Sequence, residues 1–424
     1  MKRVRALLFF FLVVVFVFPA SAHAQDCCHL VDSAIAHRYL VGGLAERRFT
    51  YAELWRALEP YLGGSNVRVA EVGRSLHGLP IRAVTFGTGA TTVLLWSQMH
   101  GDESTATMAL ADIIRFFATG GNDPRRALVH QRLTITMVPM LNPDGAERFQ
   151  RYDAAGVDIN RDARRLATPE ARALKTLRDS IRPEFGFNLH DQGARTTAGA
   201  GGRQVAIALL APASDSARTW TPVRLRARHL AAALAAAIGE AWPGRVAKYD
   251  DTFNPRAFGD LMQQWGTSTV LIESGALPND PEKQVLRAVN VRAILMALQA
   301  IATRSYESAP LPPYDSLPFN SPVPNDLLLV GGQVVVPGSE PLPLDLALTY
   351  DDPVAETGLT LAEIGDLDDA VALDTVDASG LYLHLVTAST LDPRDWWLVR
   401  GQRIAVALRR GASAESAIVM HFPR

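Results

Sequence analysis

The stretch 91–104 reads Thr91-Thr92-Val93-Leu94-Leu95-Trp96-Ser97-Gln98-Met99-His100-Gly101-Asp102-Glu103-Ser104. Its first half is a short apolar run rich in β-formers, which predicts a buried strand over 91–98. Where that run ends, a histidine and two acids follow within four residues. The residues after them, 104–119, carry apolar side chains at helical spacing. A strand that passes through ligating side chains into a helix puts chemistry at the carboxyl edge of a sheet. That is where α/β folds bind their ligands.

The same pattern recurs outward from this point. Extended segments are predicted near 67–72 and 81–86, and strands over 133–140, 185–189 and 268–272. Helices are predicted over 51–62, 224–238 and 282–303. Strands alternating with helices argue for an α/β fold, with a mixed, mostly parallel central sheet flanked by helices. Two more of these strands end in chemistry: His190 follows 185–189, and Glu273 follows 268–272. Two histidines and a carboxylate with an open fourth position form a recurrent catalytic zinc set. Zinc lowers the pKa of its water to about 7, and a nearby carboxylate can take the proton. Taken singly the signals are weak. A His-x-x-Glu pair arises by chance, and a lone histidine is more often a hydrogen-bonded core residue. Glu273 is less ordinary, because a buried carboxylate is costly without a partner.

Five segments in order then carry a resemblance. They are Gly73-Arg74-Ser75-Leu76-His77-Gly78-Leu79-Pro80-Ile81; Met99-His100-Gly101-Asp102-Glu103; Asn142-Pro143-Asp144-Gly145 with Arg151 to Arg161; Asn188-Leu189-His190; and Leu271-Ile272-Glu273-Ser274. Over residues 50 to 305 the chain resembles the zinc metallocarboxypeptidases of the carboxypeptidase A type. The resemblance implies a metallopeptidase with one zinc ion per catalytic domain, held by His100, Glu103 and His190. It implies that Glu273 activates the zinc-bound water and then protonates the leaving amine. It implies that Arg151 stabilises the oxyanion and that Asn160 and Arg161 grip the substrate's terminal carboxylate. A guanidinium fork suits both tasks. Tyr249 is the candidate for the mobile tyrosine that closes over substrate, in a local context that matches the family loosely.

Arg151 stands among Arg148, Arg161, Arg164 and Arg165, so without the motif it reads as a solvated surface charge. Asp144 and Asp158 read as turn and loop residues that bond nearby backbone. Asp191 reads as a group orienting His190 or another polar side chain, and 196–203 as a glycine-rich loop that could cover substrate. Arg256 and Phe258 fall where the specificity pocket of such proteins is often built, and a pocket arginine would favour an acidic side chain.

The periphery sets location and partners. Residues 1–24 form a basic n-region, an apolar run and a small-residue cleavage site, which predicts a secretory signal. The expectation is an exported protein, periplasmic or secreted, with no transmembrane segment after cleavage. Cys27 and Cys28 are adjacent and are the only two cysteines, so no disulfide framework exists. Residues 25–48 are expected to be a flexible mature N-terminus, and 49–306 the catalytic domain. Residues 307–324 form a proline-rich linker, and 325–424 a small all-β domain of antiparallel sandwich type. The net charge of −2 over 424 residues excludes the basic excess of a nucleic-acid binder. The partner implied is a peptide substrate, cell-wall peptides included. A cell-wall peptide amidase or endopeptidase, and an N-acyl amino acid deacylase, are alternatives on the same zinc site. A non-catalytic binding protein is disfavoured, because all three ligands and Glu273 are present.

Overall fold

The computed structural model describes residues 31–387 and 397–423. The signal segment 1–24, Cys27 and Cys28 lie outside the described residues.

The central sheet is built from β1 (Val67–Arg74), β2 (Pro80–Phe86), β3 (Thr91–Trp96), β4 (Leu133–Val138), β5 (Phe185–Asp191), β7 (Ile207–Leu210), β8 (Val246–Lys248) and β9 (Ser268–Ser274). The short strand β6 (Thr196–Ala198) stands apart from it. The strand order is β1-β2-β4-β3-β5-β9-β7-β8. The centre, β4-β3-β5-β9, is parallel, as is β7 with β8. The β1/β2, β2/β4 and β7/β9 pairings are antiparallel. The sheet is thus mixed and parallel through its middle.

The helices are α1 (Ser33–Arg38), α2 (Tyr51–Leu58), α3 (Thr105–Thr119), α4 (Pro124–Arg132), α5 (Pro143–Glu147), α6 (Pro169–Ile181), α7 (Pro222–Ala241), α8 (Phe258–Gln264), α9 (Gln284–Thr303) and α10 (Pro312–Asp315). The period of two along β3 sends Val93 and Leu95 into one core and Leu94 and Trp96 into the other. Residues of α3, α7 and α9 share the first core, and residues of α6 and α8 the second. Both faces of the sheet are therefore covered, which is why these strands read as continuous apolar runs. The predicted helix 51–62 stops being α-helical at Leu58 and tightens into a 3₁₀ turn, Glu59–Tyr61, around Pro60. α9 is long and apolar enough to cross a membrane by length and composition, and its residues Ile294, Leu298 and Ile301 are buried in the first core.

Two segments expected to be loose are docked. From residue 31 onward the N-terminal segment is packed, with Val41 and Leu44 buried at 1% exposure. The cause is Arg287 of α9, which pairs with Asp112 of α3 at 2.6 and 2.7 Å in the interior. A buried guanidinium needs partners for all its donors. The Leu44 and Val41 carbonyls, at 2.7 and 3.1 Å, and the Gln284 side-chain oxygen, at 3.0 Å, complete the set. The proline-rich segment 307–324 is likewise ordered. Tyr314 is buried, and its hydroxyl accepts the Ala211 N–H at 3.0 Å. Arg228 grips Asp315 with two hydrogen bonds. β10 (Asn320–Pro322) pairs antiparallel with β6, so the glycine-rich stretch 196–203 is anchored at its start by a strand. Prolines at a helix start and on an edge strand cost no hydrogen bond.

The C-terminal unit holds β11 (Asn325–Val330), β12 (Gln333–Val334), β13 (Leu342–Pro343), β14 (Asp345–Asp352), β15 (Thr357–Gly365), β16 (Ala372–Asp377), β17 (Tyr382–Thr387), β18 (Ile404–Arg409) and β19 (Ile418–Phe422). Two sheets, β15-β14-β11-β16 and β13-β12-β17-β18-β19, share one core that includes Leu329, Leu348, Leu361, Val406 and Leu408. The sheets are mixed, because β11/β16 and β12/β17 are parallel. Residues 397–401 form no strand, and Trp396 lies outside the described residues. Arg195 reaches across to the buried carboxylate of Asp326 at 2.9 Å, and Arg47 pairs with Asp352.

Candidate metal centre

The site is assembled on the carboxyl edge of the parallel strands. His190 lies in β5 and Glu273 beside it in β9, as register partners. His100 lies beyond the end of β3, past Gln98, whose φ of 49° turns the chain sharply. The loop then runs against a neighbour with no space to spare. A β-carbon on Gly101 would sit 2.1 Å from the Gly145 carbonyl carbon, so only glycine allows this approach. Asn142 caps α5 through the Gly145 N–H at 2.9 Å and also donates to the Met99 carbonyl at 3.3 Å. Asp144 accepts from the Ser75 hydroxyl at 2.7 Å and the His77 N–H at 3.0 Å. These contacts lock three of the quoted segments together.

The ligand-type atoms of His100, Glu103 and His190 all lie within 4.8 Å of one another, and the three residues are 2, 7 and 2% exposed. Nδ1 of each ring stands 2.7 Å from a different oxygen of Glu103, and the two Nδ1 atoms are 3.2 Å apart. Ligand atoms around a tetrahedral zinc with bonds of about 2.0 Å are about 3.3 Å apart, so the 3.2 Å between the nitrogens fits that ion, while the two 2.7 Å contacts are hydrogen-bond distances. The tautomer of His100 fits as well. Its Nε2 lies 3.0 Å from Asp158 Oδ1; with the proton held there, Nδ1 keeps a free lone pair.

The same buried groups also govern one another's protonation. Burial alone would raise the Glu103 carboxyl, but the two imidazoles and their hydrogen bonds hold it below its ordinary range. Burial lowers His100, yet Glu103 and Asp158 overcome this and raise it to about 9. His190 is pushed down, by burial first. Glu273 is held well above the usual carboxylate range, by burial and then by the charge of Glu103. Glu103 and Glu273 are close enough for the charge of one to raise the other, a repulsion that a proton or a cation relieves.

The other sequence candidates fall around this centre. Arg151 donates to Glu103 Oε1 at 3.3 Å and to Asp158 Oδ2 at 2.9 and 3.2 Å. Asp158 is therefore more than a loop residue bonding its backbone: it carries the His100 ring on one oxygen and the Arg151 guanidinium on the other. Nothing in its local sequence gives that away except its place two residues before Asn160. Asn160 accepts the Phe258 N–H at 3.0 Å, and Arg161 donates to the Asn160 carbonyl. Asn160, Arg161, Tyr249 and Glu273 line one cavity. Burial, then the charges of Glu273 and Glu103, raise the Tyr249 hydroxyl. Asp191 does not orient His190. Its side chain accepts from Thr105 at 2.6 Å and from Lys283 at 3.0 Å, while its N–H donates to Glu103 Oε2 at 3.1 Å. Phe258 is fully buried, and Arg256 is exposed outside this cavity.

Residues 63–198 match the family model described as zinc carboxypeptidase. His100, Glu103 and His190 all lie inside that matched segment. A probable carboxypeptidase 2 of Arthroderma benhamiae is 31% identical over 107 residues, covering 25% of this chain and 20% of that protein. Carboxypeptidase 2 of Trichophyton rubrum is 30% identical over 99 residues, 23% of this chain and 18% of that one. The matched part spans about a fifth of these relatives' length. Among solved structures, a metallo-carboxypeptidase from Burkholderia cenocepacia aligns with a TM-score of 0.49 at 20% identity, over 61% of this chain and 71% of that chain.

Proposed function

We propose that this chain is a zinc-dependent carboxypeptidase that hydrolyses the C-terminal peptide bond of peptides. The observation that carries the reading is the convergence of His100, Glu103 and His190 on one point, with Glu273 beside His190. Zinc held by those three residues would supply Lewis acidity toward the scissile carbonyl and acidify a water. Glu273 takes the proton of the attacking water and passes it to the leaving amine nitrogen. One carboxylate in that position can make both transfers. Arg151, anchored by Asp158, faces the developing oxyanion without reorganising. Asn160 and Arg161 hold the terminal carboxylate, and Tyr249 closes the far side of the cavity.

The test is a panel of blocked dipeptides with free or amidated C-termini, assayed with zinc and with chelator. Cleavage is expected only with zinc and a free carboxylate. Equal cleavage of both forms, or of neither, overturns the reading and makes wall peptides and N-acyl amino acids the substrates to assay. The basic and apolar leader at 1–24 supports export to the periplasm or medium, and N-terminal sequencing of the extracytoplasmic chain tests it. Residue Gln25 is the expected start.

A further inference from the structure

The chain carries 42 lysines and arginines against 44 acidic residues, so most guanidiniums have a carboxylate within reach. Arg151, Arg195, Arg224, Arg228 and Arg287 each pair with one. One place departs from that pattern. Arg161, Arg164, Arg165 and Arg256 line a single recess of about 520 Å³, and among the described residues none of the four is paired with a carboxylate. Arg256, which the sequence placed near a specificity pocket, belongs to this recess instead.

The carboxylate that also lines the recess, Asp162, is engaged elsewhere. It is 4% exposed and accepts the Ala167 N–H at 3.0 Å, the Thr168 N–H at 2.7 Å and the Thr168 hydroxyl at 2.9 Å. Backbone contacts hold the arginines together. The 3₁₀ turn Ile159–Arg161 and the loop after it meet the segment that leads into α8. The Ala163 N–H donates to the Arg256 carbonyl at 3.2 Å, and the Phe258 N–H to the Asn160 side-chain oxygen at 3.0 Å. Arg256 Nε donates to the Arg161 carbonyl at 3.4 Å. None of these bonds neutralises a guanidinium. Arg164, Arg165 and Arg256 are exposed, and the guanidiniums of Arg164 and Arg165 make no hydrogen bond among the described residues. Each offers five N–H donors in a planar fork. Salt screens the mutual repulsion of such charges in water. An oxyanion relieves it directly, and a phosphate group has oxygens enough to meet more than one fork at once.

We propose that this recess is an oxyanion site for a phosphate group, free or carried as a lipid headgroup, held by Arg164, Arg165 and Arg256. Arg161 also lines the candidate active cavity with Glu273, so the two places share one guanidinium. The kinetic consequence rests on the carboxypeptidase reading above. A phosphate in the recess competes for Arg161 with the terminal carboxylate of the substrate, which raises KM and leaves kcat unchanged.

The experiment is calorimetric titration of the zinc-loaded protein with inorganic phosphate at low salt. The expected dissociation constant is about 1 mM or tighter, the affinity that two charge-assisted hydrogen bonds supply. Arg164→Ser combined with Arg165→Ser should weaken binding at least about tenfold. Arg256→Gln supplies the same comparison if the double variant does not fold. No binding to the wild type overturns the site. Binding that the variants keep in full belongs to another place, such as the metal centre, and overturns it too. On a C-terminal dipeptide substrate, phosphate should raise KM for the wild type and not for the double variant, whose phosphate-free kcat/KM matches wild type. A KM that phosphate leaves alone, with binding still lost in the variant, overturns the competition and keeps the site. Absence of any hydrolysis overturns the carboxypeptidase reading and leaves the calorimetry untouched. Sedimentation with phosphatidylglycerol vesicles identifies the source. Co-sedimentation that the double variant loses assigns a lipid headgroup, and a protein that binds phosphate yet stays in solution assigns a soluble phosphate.

Discussion

Among the described residues, two places gather three ligand-type side chains with their donor atoms within 4.8 Å of one another: His100, Glu103 and His190 at the sheet edge, and Asp345, Asp366 and Asp368 in the C-terminal β unit. By spacing alone they are equals. They differ in burial and in what their other atoms do. The first three are nearly inaccessible, and the second nitrogen of His100 is held by Asp158. In the second group Asp366 and Asp368 are exposed. Asp345 spends its oxygens on the N–H groups of Gly331 and Leu367, at 2.8 and 3.3 Å, closing turns. Hydrated carboxylates lose little by staying apart. A buried set with two nitrogen donors and one carboxylate has no solvent to satisfy it. Convergence becomes a site only when water is excluded and a second shell fixes the ligands.

That contrast can be broken by experiment. The largest effect is expected from chelation or from His190→Ala: hydrolysis is lost, and zinc analysis falls from one ion per chain toward none. A chain that keeps its zinc after His190→Ala would remove the distinction between the two clusters. Next, Glu273→Gln should bind zinc normally but lose about 10³-fold in kcat, measured on a C-terminal dipeptide substrate. Activity that survives the change would refute the role given to Glu273. Asp158→Asn sharpens the contrast by removing the charge that holds the His100 ring. Zinc affinity by competitive chelator titration should fall about 10- to 100-fold.

Glu170 offers a smaller, pH-dependent effect away from the centre. It is fully buried, one of its oxygens has no partner among the described residues, and burial raises its carboxyl from 4.5 to about 6. A raised carboxyl pKa means that the native state holds the proton more tightly than the unfolded state. Native stability is therefore lost as pH climbs from 4.5 through about 6, and the deficit persists above. Glu170→Gln does not titrate, so its stability advantage over wild type should grow across that window, by up to about 2 kcal/mol. Denaturant unfolding at pH 4.5 and 7.5 measures it, and a pH-independent difference would contradict the assignment. The smallest effect is expected from Asp366→Asn with Asp368→Asn: zinc content unchanged, and stability within about 0.5 kcal/mol of wild type.

The legible parts of this protein were those whose signal is local. The apolar run 91–96 with its β-forming residues marked a buried strand, and helical spacing after Ser104 marked α3. Ligating residues at the ends of apolar runs pointed to one sheet edge because strand direction in an α/β fold is nearly forced by alternation. Other readings failed where a distant partner decides. Residues 25–48 read as a flexible N-terminus, yet from residue 31 they are packed, with Val41 and Leu44 held by a guanidinium some 240 residues away in sequence. The proline-rich segment read as a tether because proline breaks helices, yet its prolines sit where no donor is needed.

The sequence by itself determined which side chains could hold a metal and which strands would deliver them, because ligand identity and strand pattern are written within a few consecutive residues. Tertiary structure alone decided that Asp158 serves both His100 and Arg151, and that Arg256 stays out of the cavity at Glu273 and joins Arg164 and Arg165. Those outcomes depend on how residues 158–165 pack against the sheet edge and against the segment leading into α8. Burial then fixes which charges must find a partner, and no single segment of the chain specifies burial.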